Sequence, residues 1–204
     1  MKDRNYTKYV LVAFFLLMTG LISLFALTTT TPIGVTVEPI YELGGDFTAV
    51  GTDGEFSLSE LHGSAVVMYF GFLSCTEACP DSIAVYQAAR KKLTPEEREQ
   101  VKFVFISVDP ERDTPEKLKQ FESFFNGHLI VVTDTVDNIE TLTKQYGVYF
   151  DLVDLEGSAL QYTVDHSSRF YMVDTEGNLV TAMSHSTTPN ELAAKIRQLL
   201  TPTE

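Results

Sequence analysis

Three side chains carry the chemistry that this sequence can do. Cys75 and Cys79 are its only cysteines, and they sit close together in FGFLSCTEACP. A thiolate is both a nucleophile and a soft metal ligand, so the pair points to redox or metal chemistry. Pro80 suits the first turn of a helix. If Cys79 opens that helix, both sulfurs can converge on one ion, and the helix dipole favours the thiolate. A structural disulfide is the plainer alternative. A bridge that closes so short a loop constrains the unfolded chain little, which favours a working dithiol. The spacing, CxxxC, is one residue longer than the CxxC of thiol–disulfide enzymes. The third side chain is His166, in YTVDHSSRFYMVD.

The thiols follow Val66-Val67-Met68-Tyr69-Phe70, a continuous apolar run that reads as a strand buried on both faces. Upstream, the residues around Asp53-Gly54 predict a small hairpin, and Ser59–His62 a helical turn. Downstream, a helix is expected from about Asp81 to Lys92. Thr94-Pro95-Glu96-Glu97 and Thr188-Pro189-Asn190-Glu191 are capping boxes, whereas Thr114-Pro115 lacks the acid three residues on. Between them the sequence predicts strands at Val101–Ser107 and Leu129–Val132 and helices at Thr114–Phe125 and Val136–Tyr146, the second closed by Gly147. Tyr149–Leu152 and Leu160–Val164 read as an extra hairpin. Phe170–Val173 and Leu179–Met183 are strands joined by a turn, and a last helix runs to about Leu200. Alternating strands and helices followed by a hairpin and helix make an α/β layered domain. A dithiol after its first central strand indicates a thioredoxin-like fold. In such folds the loop facing the dithiol carries a cis-proline; here no proline occurs between Pro115 and Pro189, and His166 stands at that place. Two thiolates and an imidazole suit Cu(I), and the imidazole also suits Cu(II). A structural zinc site would want a fourth protein ligand, and none is evident.

The 204 residues suffice for one domain and an appendage, and 44% of them are hydrophobic, enough for a core. A net charge of −13 argues against nucleic acid. Val10–Leu27 has no charged residue and is preceded by Lys2, Arg4 and Lys8. It reads as a single-pass transmembrane anchor, with residues 1–9 cytoplasmic and the remainder exported to the periplasmic side of the cytoplasmic membrane. A cleaved signal peptide is the competing reading, but Ala26-Leu27-Thr28 is a poor cleavage site. Residues 28–43, rich in Thr and Pro, form a tether, and 44–204 the domain.

FGFLSCTEACP, FISVDPERDTP and YTVDHSSRFYMVD, in this order, resemble the Sco/SenC family over most of the chain from Gly44 to Leu200. The resemblance implies a membrane-anchored thioredoxin-fold domain that binds one copper ion through Cys75, Cys79 and His166. It implies a metallochaperone for the binuclear copper centre of a cytochrome c oxidase subunit, with another copper chaperone as candidate donor. It also leaves open a thiol–disulfide oxidoreductase that reduces the cysteines of that centre or of another exported target. Thr76 departs from the proline common after the first cysteine. A peroxiredoxin-type peroxidase ranks last, because residues 71–74 lack the PxxxTxxC context.

Other candidates carry plainer expectations. His62, His128 and His185 read as surface residues, and Met68, Met172 and Met183 as core. Glu77 reads as solvated. Asp109 either caps a turn or faces the copper site and shapes partner docking.

Overall fold

The computed structural model describes residues 9–11, 13–19, 43–76, 78–125, 128–158 and 160–201. The chain divides into two units, Met1–Tyr41 and Glu42–Glu204. In the first, residues 9–11 and 13–19 are helical. No helix among the described residues is long and apolar enough to cross a membrane. The rest of the expected anchor and nearly all of the expected tether lie outside the described residues, as does Glu77.

The second unit is built on a seven-stranded mixed sheet. Its strands are β1 (Thr48–Gly51), β2 (Gly54–Ser57), β3 (Ala65–Gly71), β4 (Val101–Ser107), β5 (Ile130–Thr133), β8 (Arg169–Val173) and β9 (Leu179–Ser184). They lie in the order β2-β1-β5-β4-β3-β8-β9. The three central strands, β5, β4 and β3, are parallel, and the flanking pairs are antiparallel. All seven residues of β3 are buried, as its unbroken apolar run requires. Its alternate side chains feed two cores. Val67 and Tyr69 pack with α1 (Ala78–Arg90), α3 (Pro115–Ser123) and α5 (Pro189–Leu200) on one face. Val66, Met68 and Phe70 pack with α4 (Val136–Tyr146) and the β1–β2 hairpin on the other.

The helix ends follow the local chemistry. Thr94, ahead of α2 (Pro95–Glu99), and Thr188, ahead of α5, each form the reciprocal capping box. Thr114, without the acid, caps α3 with no side-chain hydrogen bond. Gly147 closes α4 at φ +64°, the left-handed conformation that glycine adopts without a Cβ penalty.

Two expectations need correction. Helix α1 starts at Ala78 rather than near Asp81, so Cys79 lies inside its first turn. Pro80 does not have to stand first, since no amide of the first turn needs an intrahelical partner. The extra hairpin forms as expected, but its second strand runs on to His166 rather than ending at Val164. β6 (Phe150–Asp154) and β7 (Tyr162–His166) form a separate two-stranded sheet, with His166 paired to Phe150 at its end. Only β8, nearly all buried, has the two-sided apolar pattern that a place beside β3 demands.

Candidate metal centre

Each candidate ligand reaches the site on a different element. Gly71 ends β3, and a short loop carries half-buried Cys75. Buried Cys79 follows in the first turn of α1, and both are thiols here. His166 arrives from the last position of β7. One ligand atom from each lies within 4.8 Å of the others, and Cys79 Sγ is 3.9 Å from His166 Nε2. Among the described residues no other His, Cys, Asp or Glu joins the group.

The surroundings fix these atoms. A Cβ on Gly71 would stand 2.8 Å from Cys79 Sγ and 2.9 Å from Phe105, so only glycine lets the sulfur lie against the strand end. The imidazole is held by edge contacts with Tyr69 and Phe72, at centroid distances of 6.1 and 5.7 Å. Its Nδ1 is buried without a hydrogen-bond partner, while Nε2 faces the thiols. Tyr69 OH donates to Ala78 O at 3.4 Å, tying the strand to the start of α1, and burial pushes this phenol up to about 12.

The helix N-terminus acts differently from expectation. The Cys79 N–H donates to Cys75 Sγ at 3.3 Å, so the dipole serves the sulfur outside the helix. The Cys79 thiol is instead pushed well above the usual thiol range, first by its hydrogen bond with Cys75 and then by burial. A soft ion that takes Cys79 as a thiolate must displace its proton, so binding would release acid. Two soft sulfurs and one borderline nitrogen fit copper in donor type. Three donors fall short of the four usual for structural zinc.

Sequence reasoning singled out Asp109 but missed its network. Asp109 is 2% exposed and does not join the group of ligand atoms. It accepts Arg112 Nε at 2.5 Å and Tyr162 OH at 2.8 Å. Arg112 also donates Nη1 to the carbonyls of Leu160 and Tyr162, at 3.1 and 2.7 Å, and its guanidinium lies 3.7 Å from the Tyr162 ring centroid. Thus one ion pair pins the β6–β7 hairpin, and with it His166, to the end of β4. Asp113 does the same for the cysteine loop. Its carboxylate accepts Leu73 N at 2.9 Å and Ser107 Oγ at 2.6 Å, and burial holds its pKa above the usual carboxylate range. The only sequence signal was the density of charge in SVDPERDTP at a strand end. His62, His128 and His185 are exposed, as expected, and Met68 and Met172 are fully buried. Met183, half-buried, packs against the core.

A model of the SCO1/SenC family matches residues 35–201. The chain belongs to this family. It is 33% identical over 157 residues to Protein SCO2, mitochondrial, of Saccharomyces cerevisiae, covering 76% of this chain and 52% of that protein. The chain therefore spans about half the length of that yeast relative. Among solved Sco structures, Bradyrhizobium japonicum ScoI with copper bound is 30% identical, with a TM-score of 0.67, covering 77% of this chain and 99% of that one. Yeast Sco1 with copper bound is 33% identical, with a TM-score of 0.68, covering 77% and 87%. The mixed sheet with helices on both faces is the thioredoxin-like Sco fold.

Proposed function

We propose that this chain is a membrane-anchored copper metallochaperone of cytochrome c oxidase assembly. The convergence of Cys75, Cys79 and His166 within 4.8 Å carries the reading. Copper is the cargo, one ion per chain, held by the two sulfurs and His166 Nε2. The buried ring contacts around His166 and the glycine beneath Cys79 support a preformed pocket. The Sco relatives solved with copper support the choice of ion.

The acceptor is the copper-centre subunit of the oxidase, and another copper chaperone is the candidate donor. The uncharged run Val10–Leu27, led by Lys2, Arg4 and Lys8, supports a single-pass anchor in the cytoplasmic membrane with the domain outside. In the second reading, the same dithiol reduces the acceptor's cysteines. His166 stands where thioredoxin-like folds carry the cis-proline that shapes their peptide groove, which weighs against a general reductase.

The test is a Cu(I) titration under a competing chelator, on reduced and oxidised protein. The reduced form should take up one equivalent, and the disulfide form should take up far less, since oxidation removes both thiolates. Equal uptake by the two forms would refute the assignment. In an insulin-reduction assay the protein should lag far behind thioredoxin; comparable turnover would favour the reductase.

A further inference from the structure

Two clefts beside α1 form one trough. At the thiol end a cleft of about 250 Å³ is lined by Cys75, Cys79, Pro80, Phe105 and Phe121. Toward the other end of the helix a cleft of about 190 Å³ is lined by Tyr86, Arg90, Lys91, Arg98 and His128. Ile83, Gln87 and Phe125 line both, so the two clefts adjoin along the helix. His166 does not line this trough; it borders a separate cleft on the other side of Cys75.

Two independent observations at the far end point to a ligand. The first is charge. Acidic residues outnumber basic ones in the whole chain by 28 to 15, so a purely cationic cluster is out of character. Among the described residues no carboxylate lies within ion-pair distance of Arg90, Lys91, Arg98 or His128. Arg98 is locked there by Nε to Arg90 O and Nη2 to Lys91 O, both 3.1 Å, so its charge cannot swing away. The second is an orphan. Tyr86 is 3% exposed, and its hydroxyl has no hydrogen-bond partner. A buried hydroxyl left unpaired costs about 1–3 kcal/mol, which an acceptor in the cleft would recover.

We propose that the trough docks an extended acidic–apolar segment of a protein partner. One or two carboxylates sit at Arg90, Lys91 and Tyr86 OH, and an apolar side chain sits between Phe121, Phe125 and Pro80. The helix from Cys79 to Arg90 spans about 16 Å, which an extended peptide covers in about five residues. The segment would deliver the partner to Cys75 from the side that His166 leaves open. This deepens the proposed function and rests on it for why the segment should end at the thiols.

The probes are fluorescein-labelled acetyl-FSGSDE-amide and its reverse, acetyl-EDSGSF-amide, with acetyl-FSGSKK-amide as control. Each is titrated by fluorescence anisotropy with the reduced full chain in detergent. One acidic order should bind at least tenfold tighter than the basic control. Arg90→Glu with Lys91→Glu should weaken it at least tenfold. Tyr86→Phe should weaken it several-fold while leaving thermal stability equal or higher, an outcome that a structural role for the hydroxyl would reverse. If the charge-reversed chain does not fold, Tyr86→Phe decides. Equal binding of the basic peptide, insensitivity to these changes, or no binding of either acidic peptide overturns the proposal. So does charge-sensitive binding of phosphatidylglycerol vesicles without peptide binding, which would make the surface a lipid site. Copper uptake measured on the same sample separates the two readings: normal uptake without peptide binding sinks the docking proposal alone, and peptide binding without uptake sinks the copper reading alone.

Discussion

Replacing Arg112 by Met should unfasten the hairpin that carries His166. Met keeps an apolar stem over Tyr162 but removes the charge and every donor. Asp109, 2% exposed, then keeps only the neutral bond from Tyr162 OH on its carboxylate. Breaking a buried pair by removing one partner costs about 3–5 kcal/mol, because the remaining charge is stranded. The Arg112 side chain is 20% exposed, so water reaches the pair and the low end, about 3 kcal/mol, is expected. With a urea m-value of about 1–3 kcal/mol/M, the midpoint of the reduced, metal-free protein should fall by roughly 1–3 M. Asp109→Asn added to Arg112→Met should recover at least about half of the loss, since it removes the stranded charge. Cu(II) affinity should fall more than Cu(I) affinity, because the hairpin holds only the imidazole. A loss under about 1 kcal/mol, as for an exposed pair, would refute the reasoning. So would a double variant whose loss equals the sum of the single ones.

Three further outcomes are expected. His166→Ala, if circular dichroism shows it folded, should weaken Cu(II) far more than Cu(I), since the softer ion relies on the thiolates; unchanged Cu(II) affinity in competition titrations removes His166 from the ligand set. Gly71→Ala should cost about 1–3 kcal/mol by overpacking and lower copper affinity by displacing Cys79 Sγ; chemical denaturation and a chelator titration that both match the parent would show that the sulfur can yield. Asp113→Asn tests the sign of a buried carboxyl. The folded carboxyl binds its proton more tightly than the unfolded one. Parent stability relative to the variant should therefore rise as pH falls from about 7 toward 4, and be lost as pH rises through the folded pKa. A melting-temperature gap that is flat, or that moves the other way, refutes it.

The sequence by itself determined most of the scaffold and named the candidate ligands. Local rules governed both. The β3 run read as a two-sided buried strand, the Thr-Pro boxes set helix starts, and Gly147 set a helix end. Cys75, Cys79 and His166 were legible because thiols and imidazole announce their chemistry by type and by family motif. What only the tertiary structure decided is non-local. The extra hairpin was legible, but that its second strand runs on to His166 and brings the imidazole within reach of both thiols is a matter of tertiary packing. The role of Asp109 was open between a cap and a copper-facing group. The fold adds what neither alternative contained, a hydrogen bond to its carboxylate from the hydroxyl of Tyr162, fifty-three residues away in sequence. The direction of the Cys79 pKa also reversed. A helix N-terminus can be read from sequence, whereas the neighbouring sulfur and the burial that raise this thiol exist only once the chain has folded.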